Sequence, residues 1–242
     1  MISLWSITDK GAVRQQNEDS SRCWVRADGL AAAVICDGMG GARAGKVAST
    51  IAVESFCEVL EREGANWSAS PGQVLTTAAE VANQAVYFKA EMESACSGMG
   101  TTLVAALVVG NKACILNVGD SRAYHVTSEG ITRISRDHSV VEDLISHGEI
   151  TPEQARLHPQ RNLITRALGA EKTVKADLYE IPVKEGDFLL LCSDGLTNLA
   201  TDQEILYELL HGGPAEDCCQ RLLDITLTRG APDNVTVVLI QM

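Results

Sequence analysis

The chain has 242 residues, 45% of them hydrophobic and 21% charged, so it can bury a sizeable core and is not a disordered protein. Its net charge of −12, from 32 acidic and 20 basic residues, argues against nucleic acid and anionic membranes as partners. The eight cysteines form no C-x-x-C pair, and the sequence shows neither a signal peptide nor an apolar run of membrane length. We therefore expect a cytoplasmic protein with reduced thiols.

Strands and two amphipathic helices are predicted in the first half of the chain. Apolar residues recur at helical spacing over 43–62 and 72–90, with charged residues on the opposite face of the first helix. The predicted strands cover 2–8, 21–27, 30–36, 102–109, 113–118, 122–126 and 130–134. Short turns separate the last four strands, which favours antiparallel pairing because parallel strands need a long crossover.

The second half of the chain is predicted to contain more helix and fewer strands. Helices are expected at 139–147, at 152–157 after the N-cap Thr151, from Thr201 to 210, and from Pro214 to 228. Strands are expected at 174–181, 187–192 and 235–240, while the polar segment 157–166 has no assignment. Strand-rich blocks that alternate with helix pairs predict an α+β fold in which antiparallel sheets pack together with the helices outside.

Four aspartates stand beside apolar strands. Asp37, Asp120 and Asp194 each follow an apolar run, and Asp233 comes just before the last strand. A carboxylate in such a position is held rigidly and partly desolvated, and Mg²⁺ and Mn²⁺ prefer oxygen ligands. The glycines that follow Asp37 and Asp194 are expected to let the backbone turn sharply and expose a carbonyl. Asp-Gly pairs are also ordinary turn residues, but four such sites together with Asn17-Glu18-Asp19 predict a divalent-metal site.

An ordered series of short motifs makes the sequence similar to a known family. Each motif is weak alone, but the series keeps its order from near the first residue to near the last. The motifs are Gly11-x-x-Arg14-x-x-Asn17-Glu18-Asp19, Asp37-Gly38-Met39-Gly40-Gly41, Gly98-Met99-Gly100-Thr101-Thr102, Gly119-Asp120-Ser121-Arg122, Asp194-Gly195-Leu196 and Asp233-Asn234. The chain thus resembles the bacterial metal-dependent Ser/Thr protein phosphatases of the PPM (2C-type) family.

The resemblance implies both a fold and an activity. The fold is a β-sandwich of two antiparallel sheets flanked by helix pairs on both sides (four-layer αββα), as a single catalytic domain over 1–242 with a flap at about 144–166. The activity is hydrolysis of phosphoserine and phosphothreonine by a metal-activated water, at two tightly bound Mn²⁺ or Mg²⁺ ions with a third, weaker ion. The implied partners are phosphoprotein substrates and a cytoplasmic Ser/Thr kinase pathway, in secretion-system regulation, and the protein is expected to be a monomer.

The resemblance also assigns roles to individual residues, with no cofactor beyond the metals. Asp37 bridges two metals, Gly38 supplies a carbonyl to one of them, and Asp194 and Asp233 bind the other. Asp120 helps to hold the third metal, Glu18 and Asp19 act through metal-bound waters, and Arg14 binds the substrate phosphate with its guanidinium fork.

Some residues depart from the family pattern or invite other roles. Several relatives carry a His directly after Asp-Gly or just after the following Gly-Gly, where this chain has Met39 and Ala42, so the general acid is unassigned. Ser121 and Ser193 flank key aspartates but are interpreted as turn residues that bond to the backbone, because no G-x-S-x-G surrounds either. His138, at the start of the flap, is interpreted as a structural hydrogen-bonding residue.

Two other functions compete with the phosphatase. The segment Gly40-x-x-x-x-Gly45-Lys46 follows an apolar strand and opens a helix, as a nucleotide-binding P-loop does, but Val47 stands where a Ser or Thr is needed. A catalytically silent, phosphoprotein-binding pseudophosphatase would share the fold. Every metal-binding position of the family is present here, which favours activity.

Overall fold

Two antiparallel β-sheets face each other in the computed structural model, which describes residues 2–40 and 44–242. The strands are β1 (Ser3–Asp9), β2 (Asp19–Val25), β3 (Ala31–Met39), β4 (Gly100–Thr101), β5 (Leu103–Val109), β6 (Lys112–Val118), β7 (Arg122–Thr127), β8 (Gly130–Arg133), β9 (Asp177–Pro182), β10 (Phe188–Cys192) and β11 (Val235–Gln241). One sheet has the order β1-β11-β10-β7-β8, and the other has the order β2-β3-β5-β6-β9, with β4 added to β3.

Seven α-helices within residues 2–40 and 44–242 accompany the two sheets. They are α1 (Ala44–Arg62), α2 (Pro71–Met92), α3 (Val140–Ser146), α4 (Pro152–Arg156), α5 (Asp194–Thr197), α6 (Asp202–Leu210) and α7 (Cys218–Thr228), with 3₁₀ turns at Gly64–Asn66, Ser94–Cys96 and Ala215–Asp217. The pair α1 and α2 packs on the β2–β9 sheet, and the pair α6 and α7 packs on the other. This arrangement confirms the predicted four-layer α+β sandwich.

Three apolar layers hold these elements together. Ile35 and Val238 are buried between the two sheets, Phe56 lies between α1 and its sheet, and Leu222 lies between α7 and the other sheet. All eight cysteines are free thiols, and all but Cys23 are buried. None of the helices in the described ranges combines the length and apolar character that a bilayer span requires.

The ends of several strands differ from the predicted ones. The strand β2 begins at Asp19 instead of 21, and β3 continues to Met39 instead of ending at 36. The apolar run stops at Cys36, but the ladder goes on because Asp19 pairs with Asp37 and the short strand β4 pairs with Gly38 and Met39. Pairing partners that are distant in sequence therefore lengthen these strands.

The second half shows both confirmed and altered features. Thr151 and Thr201 each form a capping box with the residue three positions later, as the N-cap predictions require. Pro214 is followed by the 3₁₀ turn Ala215–Asp217 before α7 begins at Cys218, and β9 begins at Asp177 instead of 174. The flap segment 144–166 contains the end of α3, all of α4 and an irregular stretch, which a bridge between Ser139 and Ile164 joins back to its base.

Candidate metal centre

A cavity of about 570 Å³ lies where strands of both sheets end. Asp37 reaches it from β3, Asp120 from the turn after β6, Asp194 from the start of α5, and Asp233 from just before β11. The remaining predicted site residues that line it are Arg14, Glu18 and Gly38. Asp19 does not line the cavity and is buried. The fold thus gathers residues that are separated by more than two hundred positions in sequence.

Asp37 and Asp19 are directly opposite each other on neighbouring antiparallel strands. Like charges in that position repel, and the repulsion grows where water is excluded. Burial, and then the charge of Asp19, raise the pKa of Asp37 well above its usual range. Without a cation, this pair of carboxylates is an electrostatic cost of the fold.

Two other carboxylates at the cavity, those of Asp120 and Asp194, also have raised pKa values. Burial, followed by the charges of Asp194 and Asp137, raises the pKa of Asp120 to about 8. Burial and the charge of Asp233 raise the pKa of Asp194. Perturbed carboxylates that share one cleft are typical of metal and catalytic sites, because a bound cation removes the penalty for ionisation.

Two buried carboxylate oxygens have no hydrogen-bond partner. They are Oδ1 of Asp19 and Oε1 of Glu18. The other oxygen of Asp19, Oδ2, accepts bonds from Ser193 Oγ at 2.8 Å and Thr236 Oγ1 at 2.6 Å. An unpartnered buried oxygen is costly, whereas hard divalent cations and the waters around them use such oxygens. The donor set therefore fits Mn²⁺ or Mg²⁺.

The carboxylates surround the cavity without meeting at one point. Within residues 2–40 and 44–242, no three Asp, Glu, His or Cys side chains are gathered closely enough to enclose a metal ion. Two of them accept hydrogen bonds from other side chains: Asp233 Oδ2 accepts from Arg14 Nη2 at 2.7 Å, and Asp194 Oδ2 accepts from Asn198 Nδ2 at 3.0 Å. A cation at this site has to compete with these donors.

Gly38 and Gly195 are required for close backbone contact; Gly38 lies within β3, and Gly195 lies where the chain passes from β10 into α5. Neither has a positive φ. A Cβ on Gly38 would lie 2.0 Å from the carbonyl oxygen of Gly45, and one on Gly195 would lie 1.9 Å from that of Asn234. Glycine at these positions lets α1 approach β3 and lets α5 approach the start of β11, so each glycine keeps a predicted ligand segment in place.

Asn234 organises the entrance of the site, a role that we did not predict from the sequence. Its Oδ1 accepts the backbone N–H of Glu18 at 2.8 Å, and its Nδ2 donates to the carbonyls of Lys10 and Gln16, both at 2.9 Å. It thereby fastens the loop that carries Arg14 to the start of β11. The motif Asp233-Asn234 contained the signal, but only the fold shows what the amide holds.

Thr102 and Ser121 were likewise missed as supporting residues. The N–H of Asp37 donates to Thr102 Oγ1 at 3.0 Å, and that hydroxyl is 2.7 Å from Ser121 Oγ. Both hydroxyls are buried. This chain of bonds connects the segment of Asp37 to the segment of Asp120.

The two serines and the histidine that invited other roles are structural. Ser193 Oγ is buried, donates to Asp19 and accepts the N–H of Thr236 at 3.0 Å. His138 Nδ1 accepts the N–H of Gly119 at 3.1 Å, and burial lowers the pKa of this histidine. With Ser121 engaged as described above, neither serine is presented as a nucleophile.

The P-loop hypothesis does not agree with the position of Lys46. Its Nζ donates to the carbonyl of Asp19 at 2.7 Å and lies 3.0 Å from Ser20 Oγ, so it fastens α1 to β2. Residues 41–43 of that loop, including Ala42, lie outside the described residues, while Met39 lines the cavity.

Comparison with known proteins identifies the family of this chain. The family model described as Protein phosphatase 2C matches residues 10–213. The serine/threonine phosphatase stp of Listeria monocytogenes serovar 1/2a is 37% identical over 239 residues, which are 97% of this chain and 93% of that protein.

Solved structures agree over the full length. The crystal structure of a bacterial serine phosphatase has a TM-score of 0.94 and 38% identity, covering 100% of this chain and 98% of that one. The catalytic domain of the phosphatase PstP in complex with two manganese ions has a TM-score of 0.86 and 36% identity, covering 99% and 97%. PppA, a regulatory component of the type VI secretion system in Pseudomonas aeruginosa, has a TM-score of 0.83 and 34% identity, covering 99% and 97%. With this agreement along nearly its whole length, the chain belongs to the Protein phosphatase 2C family.

Proposed function

We propose that this protein is a metal-dependent Ser/Thr protein phosphatase that hydrolyses phosphoserine and phosphothreonine. The observation that carries the proposal is the convergence of Asp37, Asp120, Asp194 and Asp233 on one cavity whose rim also carries Arg14. The Listeria relative is named a serine/threonine phosphatase, and the PstP structure holds two manganese ions.

We carry the roles of the family's residues over to the matching positions of this chain. In this assignment Asp37 would contribute to holding both tightly bound ions, the carbonyl of Gly38 would help to hold one, and Asp194 and Asp233 would help to hold the other. Asp120 is assigned to a third, weaker site, and Glu18 and Asp19, with their unpartnered oxygens, orient water around the ions. Bound Mn²⁺ or Mg²⁺ supplies positive charge that lowers the pKa of water and offsets the charge of the phosphate.

The protein's own contribution is to hold these groups before substrate arrives. The backbone of Asp37 donates to Thr102 Oγ1, and its carbonyl accepts from Thr101 Oγ1 at 2.8 Å and from the N–H of Thr102 at 2.9 Å. Groups fixed in this way lose little free energy to reorganisation during the reaction. Ser121 and Ser193 are buried and hydrogen-bonded, so neither is presented as a nucleophile, and with a metal-activated water no phosphoenzyme is needed.

Metal removal gives the direct test of this proposal. We expect p-nitrophenyl phosphate and phosphothreonine peptides to be hydrolysed with Mn²⁺ or Mg²⁺, and the activity to disappear in excess EDTA and return with added metal. Thiol alkylation of the metal-loaded enzyme should leave turnover intact, because seven of the eight cysteines are buried and none lines the cavity. A protein that binds phosphopeptide without releasing phosphate would instead be a pseudophosphatase.

Arg14 provides a second test. Arg14→Ala should raise the KM for phosphopeptide, because a charged, forked contact to phosphate is worth about 1.5–3 kcal/mol. The affinity for Mn²⁺, measured by calorimetry, should stay the same or rise, since Arg14 now pairs with the proposed ligand Asp233 and competes with the ion. A normal KM together with weakened metal binding would show that Arg14 only positions Asp233.

The setting of the enzyme is also proposed. Residues 1–242 form one catalytic domain with its flap at 144–166, and the protein acts as a monomer. It acts in the cytoplasm, where its eight free thiols stay reduced. Its substrates are proteins phosphorylated by a Ser/Thr kinase. The similarity to PppA supports a role in secretion-system regulation.

A further inference from the structure

Two arginines of the flap lack the ion pairs that the other arginines make. Among the arginines within the described ranges, each except Arg156 and Arg161 has a carboxylate oxygen within 4 Å. Glu153, one turn before Arg156 on α4, makes no ion pair with it within that distance. In a chain with 32 acidic and 20 basic residues, two unpaired guanidinium groups five positions apart in sequence are unexpected.

Both arginines line a second cavity, of about 630 Å³, that is continuous with the metal centre. The two cavities share residues at their junction, which are Arg14, Asp120, Asn162, Asp194 and Asp233. Apolar side chains form part of its wall, among them Val141, Ile145 and Leu199, together with Leu157, which is 84% exposed. A peptide whose phosphoresidue lies at the metal centre can therefore continue into this second cavity.

Some of the charged side chains that line the second cavity form ion pairs with one another, and others do not. Asp137 and Glu142 are paired with Arg122 and Arg133. The remaining carboxylates, Asp120, Asp194 and Asp233, are the proposed metal ligands. On the flap side, Arg156 and Arg161 are consequently the two arginines of this cavity that have no carboxylate within ion-pair distance.

We propose that the second cavity binds the substrate segment next to the phosphorylated residue, and that Arg156 and Arg161 select segments with Asp or Glu there. The proposal rests on the proposed phosphatase function and specifies its substrate class. A guanidinium fork matches a carboxylate in shape and charge. Acidic substrates would otherwise be disfavoured by a chain with a net charge of −12. The two arginines thus act as specificity residues, away from the reacting atoms.

Matched phosphothreonine peptides test this inference. One series carries Glu, Ala or Lys at successive positions on either side of the phosphothreonine. For the wild-type enzyme we expect Glu on one side to raise kcat/KM about two- to fivefold over Ala, as exposed charge pairs do, and Lys to lower it. The Glu preference should shrink as ionic strength increases.

The double variant Arg156→Gln/Arg161→Gln should lose this preference and keep its kcat/KM for p-nitrophenyl phosphate, which has no flanking segment. A control variant, Arg22→Gln/Arg62→Gln, removes the same charge from residues that line neither cavity, and it should keep the preference.

Two results would overturn the inference: equal rates for Glu and Ala peptides, or a preference for Glu that survives in the flap double variant. Each of these leaves the phosphatase activity standing. Absence of Mn²⁺-dependent p-nitrophenyl phosphate hydrolysis by the wild type would instead refute the proposed function.

Discussion

Replacing Asp37 by Asn should reduce kcat by at least about 10²–10³-fold, the loss typical of removing one key electrostatic group. The two side chains have nearly the same shape, so the change removes charge and little else. Asp37 is proposed to be the ligand shared by two ions. Three hydrogen bonds fix its backbone: its N–H donates to Thr102 Oγ1, and its carbonyl accepts from Thr101 Oγ1 and from the N–H of Thr102.

The same variant should fold. Asp37 lies opposite Asp19, and its raised pKa shows that the charged form is disfavoured in the folded protein. Removing the charge relieves that repulsion, so the metal-free variant should unfold at the wild-type temperature or above it. Thermal denaturation in EDTA and calorimetry with Mn²⁺ measure the two effects separately. Near-normal turnover would mean that the acidic cluster is structural.

Asp120→Ala is the matched comparison. Because Asp120 is assigned to a third, weaker ion, this variant should still bind two ions in calorimetry. Its activity should respond differently to rising metal concentration. Loss of the tightly bound pair in Asp120→Ala would mean that the shared ligand has been placed on the wrong strand.

Gly195→Ala should cause the largest loss of stability among single changes at the site. The added Cβ would lie 1.9 Å from the carbonyl oxygen of Asn234, which is backbone and has little freedom to move. Overpacking of this kind costs about 3 kcal/mol, which corresponds to a fall in Tm of roughly 6–12 °C for a chain of this size. Since Asp194 and Asn234 are both displaced, affinity for Mn²⁺ should fall as well.

Gly64→Ala serves as the control for this substitution. Its added Cβ would meet the end of the Arg26 side chain, which can move aside, and Gly64 has no positive φ. Its Tm should change by little. Equal stability of the Gly195 and Gly64 variants would contradict the argument that close backbone contact requires glycine at 195.

Local signals in the sequence were sufficient for the fold class and for the ligand candidates. Apolar periodicity located α1 and α2, N-cap residues located α4 and α6, and short turns indicated antiparallel sheets. The aspartates were recognisable because each one stands next to an apolar run, where a solvent-exposed charge is out of place.

The tertiary structure decided what depends on residues distant in sequence. It extended β3 past its apolar run because β2 and β4 supply hydrogen-bond partners there. It showed that hydrogen bonds of Asn234 hold the loop that carries Arg14, and that a hydrogen bond of Lys46 connects α1 to β2. Unpaired arginines are likewise invisible in sequence, since an ion pair depends on which side chains the fold brings within about 4 Å. The sequence alone therefore determined which residues can bind metal. The tertiary structure decided which hydrogen bonds hold those residues in place and which flap arginines have no ion pair. Both depend on distances between side chains, which only the folded chain sets.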